Sequence, residues 1–145
     1  MNQNPPQDNH GLNGESWTGV DLDGTLAVYY GWAGPEHIGE PIPLMVNRVR
    51  QWLSEGKRVK IVTARVDPAF PGDAAIARRH IAAWLIKHLG QLLPITHAKD
   101  RYMFSLWDDR AVQVEANTGE TLSSQLVVAR ARIALLECLL KGEVE

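Results

Sequence analysis

The chain has 145 residues, 45% of them apolar and 22% charged, with a formal net charge of −2. That length supports one domain with a real hydrophobic core, and the composition is that of a globular chain, not a disordered one. The near-neutral balance offers no basic stripe for long nucleic acid. The single cysteine, Cys138, excludes a disulfide framework or a thiolate zinc site, and no run approaches the roughly 20 apolar residues of a membrane span. A reducing, cytoplasmic setting with no membrane partner is the expectation.

In chain order, residues 1–15 are rich in Asn, Gln, Pro and Gly and read as a flexible N-terminal leader, ahead of a single domain over 16–145. Ser16 to Asp21 reads as a short buried strand. The segment from Ala27 to Pro43 has no helical period and several Pro, Gly and aromatic residues, which predicts a loop or a small hairpin flap. Met45, Val49, Trp52 and Leu53 then lie on one helical face over Pro43–Ser54, with Pro43 and Gly56 as start and stop signals. A β-branched strand follows over Val59–Thr63. Asp73 reads as the N-cap of a helix over Ala74–Leu89, with Ala77, Ile81, Trp84 and Leu85 inward and Gly90 closing it. Short apolar pieces LPIT, FSLWDD and AVQVE come next, FSLWDD being the penultimate strand, and a last helix is expected over 120–141.

Strands alternating with helices imply an α/β fold, a Rossmann-like three-layer α/β/α sandwich with a mostly parallel central sheet. Ligands in such folds sit at the carboxyl ends of the strands. There the sequence places Asp21, Thr63 and the pair Asp108 and Asp109, with Lys99 in the loop before FSLWDD. At roughly 4 Å, two like charges repel by about 4 kcal/mol at an effective dielectric near 20. Asp21, Asp23, Asp108 and Asp109 gathered in one crevice therefore call for a hard divalent cation with oxygen ligands, Mg²⁺ above all. Such an ion also offsets the charge of a phosphate facing an anionic nucleophile. One aspartate of "DLDGT" can attack phosphorus while a second donates a proton to the leaving oxygen and later takes one from water. Gly24 permits the turn that brings both to one phosphate, and Thr25 can hold that turn through nearby backbone. Amides of the turn and of Leu22 are natural phosphate donors.

"DLDGT", a strand ending in Thr63, then Lys99, then "WDD", resemble the ordered four-motif signature of the haloacid dehalogenase superfamily, over roughly Thr18 to Val114. The resemblance implies Asp21 as nucleophile, Asp23 as general acid and base, and Thr63 as phosphate ligand. It implies Lys99 as the lysine that steadies nucleophile and phosphate. It also implies Asp108 and Asp109 as metal carboxylates, joined by Asp21 and by the backbone carbonyl of Asp23. The substrate-facing set is then Leu22, Gly24, Thr25, Thr63, Ala64 and Arg65. Lys60 and Arg65 border the second motif and are alternatives to Lys99; Arg65 either reaches substrate or forms a surface salt bridge. An aspartate at position 23 favours phosphatase over dehalogenase chemistry.

Both gaps in which that family inserts cap domains are short here, which implies a capless member with an open cleft. The expected substrate is a phosphorylated small molecule or nucleotide, with a nucleic-acid end as a further choice. Tyr29, Tyr30 and Trp32 are expected to pack the flap onto the sheet in preference to stacking on a nucleobase or sugar. Leu122, Leu126, Ala129, Ile133, Leu136 and Leu140 form an apolar stripe that covers the sheet or serves as a homodimer seam. Two other readings compete with a phosphatase: a phospho-acceptor module resembling a response-regulator receiver, in which the order of the acidic pair and lysine is reversed, and a catalytically silent scaffold of the same fold.

Overall fold

The computed structural model describes residues 15–142, so the expected leader lies outside the described residues apart from Glu15. The chain divides into two compact units, the first ending at Asp109 and the second beginning at Arg110. In chain order the first unit contains β1 (Trp17–Asp21), α1 (Pro43–Ser54), β2 (Val59–Val62), α2 (Pro71–Leu89), β3 (Ile95–Thr96) and β4 (Met103–Trp107). The four strands form one sheet in the order β3-β2-β1-β4, and every neighbouring pair is parallel. With α3 (Leu122–Gly142) in the second unit, the chain is an α/β protein with a four-stranded parallel sheet and three helices among the described residues.

Side-chain alternation explains which sheet face is covered. Val20 stands opposite Ile61 in the β1–β2 register, and both are fully buried. They form one core with Val46 and Val49 of α1 and Ala77, Ile81 and Leu85 of α2. Both helices therefore lie on the same face, as two right-handed crossovers stepping in the same direction across a sheet require. On the other face, the short connection from Thr96 to Met103 runs back across the sheet. Its Asp100 accepts from Trp17 Nε1 at 2.8 Å and pairs with Lys60 Nζ at 3.3 Å, while the Lys60 ammonium sits 4.2 Å from the Trp17 ring. A parallel connection usually takes a dozen or more residues and a helix. Here a bare loop, pinned at Asp100, makes the crossing.

The boundaries follow from local chemistry. α1 matches its expected span, opened by Pro43 and followed by Gly56 at φ 78°. α2 starts earlier than Asp73 implied. Phe70 is its N-cap and Pro71 opens it, because a fixed φ and a missing N–H suit the first helical position. Asp73 falls inside the first turn, where its charge complements the helix dipole. β2 ends at Val62, one residue short, because Thr63 leads into a single 3₁₀ turn over Ala64–Val66.

The flap is anchored at its base and to α2. Ala27 bridges Pro41, Val28 N–H donates to the Glu40 carbonyl at 2.8 Å, and Trp84 Nε1 donates to the Gly39 carbonyl at 2.9 Å. Gly39 is required here, since a Cβ on it would lie 1.9 Å from the Val28 carbonyl oxygen.

In the second unit, AVQVE does not extend as a strand. Val114 makes only an isolated bridge to Thr121, across a turn in which Asn117 and Gly119 both have positive φ. Leu126, Ile133, Leu136 and Leu140 of the apolar stripe are exposed, as are Val127, Val128, Leu135 and Leu139. No helix among the described residues is long and apolar enough to cross a membrane. Gly39→Ala is expected to lower stability by roughly 1–3 kcal/mol through overpacking of the flap base; a urea unfolding midpoint equal to wild type would refute the close approach.

Candidate active site

The sheet order fixes where the site must be. β1 leads through α1 to β2 on one side, whereas β4 joins β1 on the other side, so the strand order reverses between β1 and β4. A crevice opens outside the strand ends at such a point. Val20 pairs with Trp107, so Asp21 ends β1 beside the Asp108 and Asp109 that follow β4. Carboxylate oxygens of these three lie within 4.8 Å of one another.

The two halves of the cluster are tied by Thr25. Its hydroxyl donates to Asp109 Oδ1 at 3.2 Å and accepts from the Asp109 backbone N–H at 2.9 Å, and the residue is buried. Thr25 was expected to hold its own turn; instead it bonds Asp109, 84 positions further along the chain. Gly24 is constrained by the same neighbour. Its φ is +90°, and a Cβ on it would come within 2.6 Å of Asp109 Oδ2. "DGT" is thus a turn shaped to receive the second acidic motif.

The electrostatics are those of an anionic crowd. Burial, then the charge of Asp108, and then those of Asp23 and Asp109, push the Asp21 carboxyl from 3.8 up to about 7, although the Leu22 amide hydrogen bond pulls the other way. Three all-oxygen carboxylate ligands in one crevice fit a hard cation such as Mg²⁺, whose charge relieves this crowding.

Asp23 has a different environment. Arg65 Nε and Nη2 donate to its two oxygens at 2.6 and 2.8 Å, and the arginine side chain is only 4% exposed. This is a buried bidentate pair, not the surface salt bridge that the sequence left open for Arg65. Arg65 Nη1 also donates to the Gly34 carbonyl of the flap at 3.2 Å, and the guanidinium lies 5.0 Å from the Trp32 ring. The carboxylate of Asp23 is therefore directed to Arg65, while Asp21, Asp108 and Asp109 form the ligand group.

The remaining expected residues divide. Thr63 is buried one residue beyond β2, and its Oγ1 accepts from the Arg65 amide at 3.3 Å, with its own proton left to donate. Ala64 is exposed beside it. The amides expected to receive phosphate are partly committed: Gly24 N–H donates to the Ala27 carbonyl at 2.8 Å, and the Leu22 amide bonds Asp21. Lys99 is exposed in the β3–β4 connection, and among the described residues no ion pair joins it to Asp21, Asp108 or Asp109. Lys60, its alternative, is held by Asp100. Tyr30 is 99% exposed and Trp32 55% exposed, so the flap tip does not pack these rings onto the sheet; Trp32 lies against Arg65 instead. A groove of about 490 Å³ beside β4, lined by Trp52, Arg58, Phe104 and Trp107 among others, contains none of the expected site residues.

Comparison with protein-family models, with curated proteins and with solved structures gives no match to this chain.

Because the folded pKa of Asp21 is raised, folding is helped when this group is protonated and penalised when it is ionised. In chelator, its contribution is expected to fall as pH rises from about 4 to about 7 and to stay unfavourable above that. Asp21→Asn should therefore raise the melting temperature in chelator at pH 8, and added Mg²⁺ should stabilise wild type more at pH 8 than at pH 5. Thermal unfolding at the two pH values checks both. Thr25→Val removes a hydrogen-bonded hydroxyl that serves Asp109 twice. It is expected to weaken Mg²⁺ binding about 10–100-fold, as loss of ligand-orienting partners does elsewhere, in calorimetric titration.

Proposed function

We propose that this chain is a Mg²⁺-dependent phosphomonoester hydrolase of the haloacid dehalogenase type, working through an aspartyl-phosphate on Asp21. The observation that carries the reading is the meeting of Asp21, Asp108 and Asp109 at the strand-order reversal, with ligand oxygens within 4.8 Å of one another. The Rossmann-like three-layer architecture and the capless character of that family belong to the same proposal, as does a cytoplasmic setting.

Asp21, Asp108 and Asp109, with the Asp23 backbone carbonyl that the family resemblance adds, would hold the ion. When bound, Mg²⁺ supplies positive charge that keeps these carboxylates ionised and offsets the charge of a phosphoryl group. In the first step a carboxylate oxygen of Asp21 forms a bond to phosphorus, and the bond from phosphorus to the leaving oxygen breaks. Asp23, in its protonated form, gives its proton to that oxygen. In the second step Asp23 takes a proton from water as the water oxygen attacks phosphorus, which releases inorganic phosphate and restores the Asp21 carboxylate. Thr63 Oγ1 donates to a phosphoryl oxygen, and Lys99 serves as the steadying cation if it turns in from its exposed loop.

Short gaps and an open crevice favour a phosphorylated small molecule, a nucleotide or a nucleic-acid terminal phosphate. The exposed rings of Tyr30 and Trp32 support a leaving group with a planar, stackable part. Hydrolysis of an aryl phosphate with Mg²⁺ is the direct test. Chelator is expected to abolish it, Asp21→Asn to reduce kcat by at least about 10³-fold, and Asp23→Asn by roughly 10²–10⁴-fold. Full turnover by Asp21→Asn would exclude the covalent mechanism.

A further inference from the structure

Arg65 is the one described side chain that touches both the catalytic turn and the flap tip, and it does so with all three of its nitrogens. Nε and Nη2 are spent on Asp23 and Nη1 on the Gly34 carbonyl, while the guanidinium plane lies against Trp32. The Gly34 carbonyl also accepts from the His37 N–H at 3.3 Å, so the turn at the flap tip closes on the same oxygen that Arg65 holds. The backbone that carries Arg65 is fixed by Thr63, whose Oγ1 accepts the Arg65 amide. The Arg65 side chain thus extends from the end of β2 to the flap on one side and to Asp23 on the other.

This arrangement conflicts with the role that the proposed mechanism gives Asp23. A carboxylate that accepts on both oxygens from a buried guanidinium is held as an acceptor. Asp23 must leave this grip before its carboxylate can turn toward a leaving group. We propose that Arg65 is a positioning residue that couples the flap to Asp23. While the flap tip is docked on the guanidinium, Asp23 is held; when phosphate oxygens enter the crevice and compete for Nε and Nη2, Asp23 is released and the flap tip loses its anchor together with it. The phosphate is a suitable competitor because it presents the same pair of acceptor oxygens to the planar fork that a carboxylate does. The coupling is physical, since one guanidinium cannot keep both sets of bonds when it moves. This inference rests on the phosphatase reading for the identity of the competitor, but the link between flap and Asp23 is a property of the free protein.

Hydrogen exchange in the full chain tests the link without turnover. Arg65→Gln is expected to speed exchange at the His37 amide and its neighbours in the flap tip about tenfold, the loss of one charge-assisted hydrogen bond. Asp23→Asn should do the same by freeing the arginine, and the double variant should be no faster than either single one, which is the signature of one shared connection. Amides of Ile81 and Leu85 in α2 serve as the control that the core is intact. Orthovanadate with Mg²⁺ should loosen the flap tip of wild type and leave that of Arg65→Gln unchanged. In aryl phosphate turnover, Arg65→Gln should raise KM more than it lowers kcat, since phosphate loses its fork while Asp23 is already free, and Arg65→Lys should not restore KM, because an ammonium cannot grip two oxygens in a plane. Unchanged flap exchange in Arg65→Gln, or additive effects in the double variant, would overturn the coupling. If wild type turns over no phosphate ester while the exchange results hold, the phosphatase reading fails and the latch stands.

Discussion

Repulsion among three carboxylates at the ends of two neighbouring strands is the constraint around which the first unit is built. The Asp21 carboxyl is pushed up to about 7, first by burial and then by the charge of Asp108, so the three groups are held together against their own electrostatics. What prevents relaxation is specific. The parallel pairing of β1 with β4 brings Val20 level with Trp107, so the next residues on each strand must emerge side by side. Thr25 then fastens Asp109 by backbone and side chain, and Gly24 leaves the space that this carboxylate fills. A cluster held against its own electrostatics costs stability in the free protein, a cost that the proposed cation would offset.

The fold is economical elsewhere. Two helices and one buried sheet face supply the core of the first unit, and the opposite face is crossed by a connection without a helix. Asp100 compensates for the missing helix by gathering the Trp17 indole, the Lys60 ammonium and the Tyr102 amide onto a single carboxylate. That anchor delivers the chain from the far edge of the sheet to the start of β4 in the register that the site needs. The position of Asp108 and Asp109 thus depends on a polar knot on the sheet face, well away from the carboxylates themselves.

Much of this was legible in the sequence, and the division between what was and what was not has a physical basis. Elements whose identity depends on local periodicity and punctuation came through: α1 between Pro43 and Ser54, the inner face of α2, and the strands that end in Asp21 and before Asp108. The parallel sheet followed from alternation of strands and helices. Features that depend on contacts between distant residues did not come through. Nothing local to "DGT" says that Thr25 will serve Asp109, and "TAR" left Arg65 either reaching substrate or in a surface salt bridge, with no sign of its burial against Asp23. Asp73 misled because a capping residue type stood two positions after a proline that starts the helix on its own terms. AVQVE looked like a strand by composition, but with only Thr121 to pair, it stays a turn-closed loop.

The sharpest consequence concerns the two aspartates of "DLD". An ideal strand would present them on one face, in one environment. The turn at Gly24 instead sends them to opposite electrical surroundings: Asp21 among anions, Asp23 against a cation. The proposed nucleophile is thus the carboxylate that burial and neighbouring anions push toward its neutral form, which a cation bound at the proposed site would reverse. The difference here is created by Arg65, a residue on the neighbouring strand's exit that is itself braced by Thr63. Through Gly34 and Trp32, Arg65 also ties Asp23 to the flap.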